Sequence, residues 1–264
     1  MTNRAHPIGP VAKAWLLLPM LALAGAAPEP RWQSIFDGRT LDGWTPKITG
    51  RAVGEDPRGM FIVKNGAIRV SHAGYPRFEG EFGHLFWRAP MHAYRLRFQY
   101  RLFGEPLPGV KIWQQANSGL MFHAQAPETM RRDQAFPVSL EMQLLAVPRA
   151  VREPTANVCT PGTTVEIAGK LDPRHCILSS SPLIPLGRWV HAELEVLPSG
   201  QITHRINGKI VLRYANPQLD PDDADAKPLV AAAGGILTLR RGYIALQSEG
   251  NPVEFKKIEL QSLD

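Results

Sequence analysis

The sequence predicts an all-β protein, a sandwich or jelly roll built from many short strands. Three observations carry this. Tyr94–Leu102, YRLRFQYRL, alternates apolar and polar residues without a break, the period of a half-buried strand. Two Asn-Gly pairs, Asn65-Gly66 and Asn207-Gly208, each stand between apolar runs, as hairpin turns do. The 264 residues include 24 prolines and 23 glycines, and no amphipathic helix longer than two turns or internal repeat is evident. Apolar residues make up 44% of the chain, enough for a sizeable core.

The N-terminus reads as a secretory leader, so the protein is expected to be periplasmic or secreted. Arg4 and Lys13 precede the apolar stretch Ala14–Ala27, AWLLLPMLALAGAA, which ends in small residues suited to cleavage. The stretch is short for a membrane span, and no second one follows, so no integral span is expected after cleavage; an uncleaved anchor is the alternative. No cysteine follows it, which argues against a lipid anchor. The expected division is a leader over residues 1–27 and one domain over residues 28–264. Loss of Arg4 and Lys13 lowers the formal charge from +6 to +4. The charges are scattered, without the concentrated basic stripe of a nucleic-acid groove, so no nucleic-acid partner is expected.

In chain order, Trp32–Trp44 opens the domain with two Asp-Gly turns, at Asp37-Gly38 and Asp42-Gly43. Phe61–Val70 is a hairpin turning at Asn65-Gly66, and His72–Gly83 is a Gly-rich, aromatic-rich loop. On Tyr94–Leu102, Arg95, Arg97, Gln99 and Arg101 share one face, either solvated or lining a site for oxyanions or sugars. Glu105–Ala116 is a loop. Val147–Pro185 lacks periodicity and reads as a long insertion. Trp189–Leu197 is a strand, and Gln201–Tyr214 a second hairpin, in which Ile202, His204 and Ile206 share a face. Asn216–Gly235 is a loop, and Tyr243–Ser248 and Val253–Leu260 are the closing strands.

Between these lie two runs, Asn117–His123 and Val138–Leu145. Alternation sends Leu140, Met142 and Leu144 to one face, and Glu141 and Gln143 together to the other. In the first run Leu120 and Phe122 share a face, which places Met121 and His123 opposite. An acid beside an amide on an open sheet face either binds and processes a polar ligand or is merely solvated. Cys159 and Cys176, the sole cysteines, suggest a disulfide in an exported chain. With 16 residues between them, such a bridge is worth roughly 3 kcal/mol on the loop-entropy model. The competing reading makes them zinc ligands with His175.

Five stretches resemble one family in the right order: FDGRTLDGW, NSGLMFH, SLEMQLL, ITHRINGKIV and YIALQSEGNPVEFKKIEL. The family is that of the 3-keto-disaccharide hydrolases, and the resemblance covers about Ile35 to Leu263. NVCTPGT and RHCILSSS resemble a branch in which both cysteines occur. The sequence departs from the family's usual residues at His123, Glu249, Lys256 and Lys257. The resemblance implies a concanavalin-like jelly-roll sandwich of two antiparallel sheets that binds carbohydrate on one of them. It also implies an enzyme, a hydrolase or lyase whose substrate is a 3-keto sugar or oligosaccharide.

A ketone at C3 acidifies the C2 hydrogen, and the aglycone on C1 can then leave by β-elimination, followed by hydration. This chemistry needs a base, an electrophile for the enolate oxygen and an acid for the leaving oxygen. On that basis His123 or His204 is expected as the base, because imidazole titrates near neutrality. Glu141 is expected to orient hydroxyls, assist the base or ligate a metal. Gln143, Asn117 and Gln247 are expected to hold hydroxyls, and Lys256 to stabilise the enolate. A divalent metal held by Glu141 and a histidine is the alternative to that cation. The rival function is a non-catalytic carbohydrate-binding module, for which Trp87, Trp113 and Tyr243 are the candidate aromatics. A structural interaction domain is a third reading.

Overall fold

The computed structural model describes residues 1–3, 31–148 and 152–264. From residue 4 onward, the expected leader lies outside the described residues. Among the described residues no helix is long and apolar enough to cross a membrane.

The strands follow in chain order. The first five are β1 (Gln33–Ser34), β2 (Trp44–Ile48), β3 (Phe61–Lys64), β4 (Ala67–Val70) and β5 (Gly83–Trp87). The long β6 (Tyr94–Leu102) precedes the two central strands, β7 (Asn117–Ala124) and β8 (Leu140–Leu145). Four short strands follow: β9 (Asn157–Cys159), β10 (Thr163–Ile167), β11 (Lys170–Asp172) and β12 (Cys176–Ile177). Then come β13 (Val190–Val196), β14 (Gln201–Ile206) and β15 (Lys209–Leu219). A short helix, α1 (Lys227–Ala232), precedes β16 (Tyr243–Ser248) and β17 (Val253–Ser262).

They form two antiparallel sheets. One runs β11-β10-β15-β14-β13-β6-β17-β4-β3, with β1 also paired to β17. The other runs β12-β9-β8-β7-β16-β5-β2. The inward residues of both sheets merge into one apolar core that includes Leu96, Phe98 and Phe255 from the first and Leu120, Leu140, Met142 and Leu246 from the second. This is the expected sandwich. On β6 the alternation is realised residue by residue, with Tyr94, Leu96, Phe98, Tyr100 and Leu102 all buried. Both Asn-Gly turns take the left-handed conformation that a tight hairpin needs, Asn65 at φ 53° and Asn207 at φ 49°.

Three expectations are corrected. Val147–Pro185, read as a long insertion, is tied down by its disulfide but is also part of both sheets. Its described part supplies β9 and β12 at one edge of the seven-stranded sheet, and β10 and β11 at one edge of the other. Strands of two to five residues are too short to show a period. Asn216–Gly235 contains the end of β15 and the helix α1. The arginine row of β6 neither lies free nor lines a cleft. Arg95 donates to Glu195 (2.6 Å), Arg97 to Glu259 (2.7 Å) and Arg101 to Glu254 (2.7 Å), across the outer face of the ten-stranded sheet. Neighbouring strands supply a carboxylate opposite each guanidinium, and a single strand's sequence cannot show that.

Candidate functional site

A row of polar side chains is buried on the outer face of the seven-stranded sheet. Glu141 and Gln143 point there because Leu140, Met142 and Leu144 of the same strand point into the core. Beside β8, Gly119 of β7 pairs with Gln143. A methyl group at Gly119 would stand 2.7 Å from Cγ and 2.8 Å from Cδ of Glu141, so the glutamate side chain lies across a glycine that leaves it room. On the far side of β7, Leu246 pairs with Leu120, and the next residue along, Gln247, therefore falls beside Gly119. Gln247 in turn pairs with His84 of β5, and His84 with Lys47 of β2. A polar row thus crosses the sheet: Lys47, His84, Gln247, the Gly119 gap filled by Glu141, Gln143 and Asn157.

Several atoms of this row lack a hydrogen-bond partner among the described residues. They are Oε1 of Glu141, both amide atoms of Gln247, Nε2 of His84 and, one step along β7, Oδ1 of Asn117. Buried polar atoms are nearly always satisfied, so five gathered on one face make it the candidate ligand-binding surface. Other members are anchored. Asn117 donates Nδ2 to the Trp113 carbonyl at 3.1 Å, and Gln143 accepts from Asn157 at 3.0 Å. Lys47 spends its ammonium on the carbonyls of Ile48 (3.2 Å) and Arg132 (3.0 Å). Burial pushes the Glu141 carboxyl up to about 8, because an anion there would be stripped of water. Burial, helped by the nearby Lys47 charge, holds the His84 imidazole down at about 3.

A cleft of about 420 Å³ opens above Glu141, Gln143 and Asn117. Its walls include Trp113, Phe136, Pro161, Leu178, Glu153, Glu249 and His175. Its rim is fixed by the Cys159–Cys176 disulfide, which joins β9 to β12. Cys159 pairs with Glu141 across the ladder, so the bridge braces the strand beside the carboxylate. With both thiols in the bridge, the zinc reading with His175 is withdrawn.

The structure gathers four expected residues here: Glu141, Gln143, Asn117 and Gln247. Three others lie elsewhere. His204 faces the sandwich core from β14, with Nδ1 3.0 Å from the Ala156 carbonyl and Nε2 2.8 Å from the Tyr214 hydroxyl. Both ring nitrogens are used and burial holds the ring at about 4, so it is a satisfied core residue and not the base. His123 has φ 46°, and β7 carries one extra residue against β16 at this point. Such a bulge breaks the alternation. It turns His123 toward a small crevice with His92, Leu197, Pro198 and Arg240, away from Glu141. Lys256 stands on the other sheet, its Nζ 3.7 Å from the centre of the Trp189 ring. Neither His123 nor His204 stands beside Glu141 to share a metal with it. Among the described residues, no group of three or more His, Cys, Asp or Glu side chains is placed to hold a metal ion.

Of the candidate aromatics, Trp87 is core, packed on Trp44, and Tyr243 packs with Phe86. Trp113, 43% exposed, stands at the cleft. Sequence reasoning missed His84 and Lys47. β5 reads GHLFW, five buried residues with little polar contrast, and β2 contains Pro46, so neither advertises a strand. The chemical signal was a histidine and a lysine, each beside apolar residues.

A family model described as the 3-keto-alpha-glucoside-1,2-lyase-like domain matches residues 31–261. The chain belongs to this family. Membership gives it a carbohydrate-related function. Among solved structures, a provisionally named glycosyl hydrolase from Parabacteroides distasonis is similar at 17% identity and TM-score 0.52, over 88% of this chain and 94% of that one. A second such protein from the same organism is similar at 13% identity and TM-score 0.51, over 88% of this chain and 100% of that one. A Bacillus subtilis protein of unknown function with a galectin-like fold shares 11% identity at TM-score 0.52, over 84% of this chain and 90% of that one. At these identities the structures establish the shared sandwich fold. No curated protein matches the sequence.

Proposed function

We propose that the protein is an exported enzyme that cleaves the glycosidic bond of 3-keto-glycosides, with Glu141 as the base that removes the C2 hydrogen. The observation that carries this is the Glu141 carboxyl, buried on the sheet's open face at the floor of a cleft, with Oε1 unpartnered and the group held near 8. A carboxylate poised so high is a far stronger base than an ordinary one, and a carbon acid next to a ketone needs such a base. The leader-like N-terminus and the disulfide support export.

In the step proposed, the C2–H bond breaks and its proton passes to Glu141. The electron pair forms C2=C3 while the ketone oxygen takes up the charge. As that charge returns, C1=C2 forms, and the C1–O bond breaks with its pair going to the aglycone oxygen, which takes the proton that Glu141 now holds. Water then adds across C1 and C2, so the net change is hydrolysis. Asn117, Gln143 and Gln247 offer amide donors and acceptors to the sugar hydroxyls. Paired carboxylates of the ordinary glycosidase kind are not required.

The reaction run in D2O tests the route. Elimination and rehydration put one deuterium at C2 of the released 3-keto sugar. Aglycone release with hydrogen retained at C2, measured before free sugar exchanges in a control without enzyme, would point to direct displacement at C1 and remove the C2 chemistry.

A further inference from the structure

Three loops meet over the polar row. Phe82 and Phe78 come from the segment before β5, Trp113 from the segment before β7, and Phe136 from the β7–β8 connection. The Phe82 ring lies 4.6 Å from that of Phe136, 5.0 Å from that of Phe78 and 6.4 Å from that of Trp113. Phe136 also packs edge-on against His84, with ring centres 6.0 Å apart. His84 and Gln247 lie sealed beneath, at 1% and 0% exposure. The fold thus shuts polar groups away under a cluster of rings, one edge of which, Phe136, is also a wall of the cleft.

We propose that His84 is a further catalytic residue, its Nε2 hydrogen bonding the 3-oxo oxygen of the sugar and holding the charge that gathers there, once Phe136 swings aside to admit the ring. This rests on the function proposed above. His204 in the core uses both its ring nitrogens, whereas Nε2 of His84, buried in the row between Gln247 and Lys47, has no partner among the described residues. Burial, and after it the Lys47 ammonium close by, disfavours a positive charge on the ring, so it serves as a neutral donor, as a neutral histidine can toward an enolate. The spacing also fits. Gly119, under the Glu141 carboxyl, and His84 are two strand spacings apart, roughly 10 Å. Two hydrogen-bond lengths of about 3 Å each and a C2-to-oxygen span of roughly 2.4 Å account for most of that. Gln247, between them, meets the adjoining hydroxyl.

The test uses His84→Leu and His84→Gln in the mature protein. With a 3-keto glucoside, H84L should lose about 100–1000-fold in kcat/KM, the usual loss for one oxyanion donor, while its urea midpoint holds or rises because an unpartnered polar atom has gone. H84Q, which keeps a donor, should recover part of the rate and serves if H84L does not fold. In a Glu141→Gln background, calorimetric binding of methyl 3-keto-glucoside should exceed that of methyl glucoside, and H84L should reduce the keto preference at least tenfold. Parent-like kcat/KM in H84L, or an unchanged keto preference, overturns the role of His84 and leaves the proposed function standing. No aglycone release by the parent enzyme from any 3-keto glycoside overturns both together.

Discussion

Replacing Glu141 by glutamine should make the protein more stable, and increasingly so as the pH rises. Burial lifts the carboxyl from 4.5 to about 8. Between those values the folded protein keeps a proton that the unfolded chain has released, so this group's contribution to stability falls as pH rises through that window. Each unit is worth about 1.36 kcal/mol, so the full penalty above pH 8 is about 5 kcal/mol; at pH 5 it is under about 1 kcal/mol. Glutamine has nearly the shape of the protonated acid and carries no charge to desolvate. E141Q should therefore gain about 4 kcal/mol on the parent between pH 5 and pH 9, or roughly 8–16 °C in melting temperature for a domain of this size. Urea and thermal melts of both proteins at pH 5, 7 and 9 measure it. A stability difference that does not change with pH would refute the claim that burial raises this carboxyl, and with it the basis for treating Glu141 as a tuned base.

Other perturbations separate the site from its frame. Gly119→Ala should displace the Glu141 side chain, whose Cδ lies 2.8 Å from the new methyl, and lower kcat by at least tenfold while costing about 1–3 kcal/mol of stability; turnover assays and melts report the two. His204→Ala should cost about 3 kcal/mol or more, because the Ala156 carbonyl and Tyr214 hydroxyl lose their partners, yet leave kcat of the folded fraction unchanged. A large kcat loss in that variant would return His204 to the chemistry. Reduction of Cys159–Cys176 should remove roughly 3 kcal/mol and raise KM more than it lowers kcat, since it loosens the cleft rim, as Michaelis kinetics with and without reductant will show.

How far the sequence could be read depended on whether a residue's environment is made locally. Strict alternation placed β6, and the Asn-Gly pairs placed both hairpins, because these signals are complete within a few residues. Glu141 and Gln143 were legible as a shared outward pair for the same reason. His123 was misplaced because the bulge beside it depends on the partner strand β16, not on β7 alone. The face that His204 shares with Ile202 and Ile206 already pointed it inward, and the structure seats it in the core; Lys256 was misread because standing on the other sheet is decided by strand order, which no local pattern reports. His84 was missed because its significance lies in two cross-strand neighbours, Gln247 and Lys47, distant in sequence. The disulfide was anticipated from compartment chemistry; its position beside Glu141 emerged only with the pairing of β8 and β9.

The most direct test of the proposed function is aglycone release by residues 28–264 from a 3-keto β-glucoside and from its unoxidised parent, with E141Q alongside. The account predicts release from the keto sugar alone and a loss of at least a thousandfold in a folded E141Q. Release from the unoxidised glycoside at a similar rate, or full activity in E141Q, would contradict it.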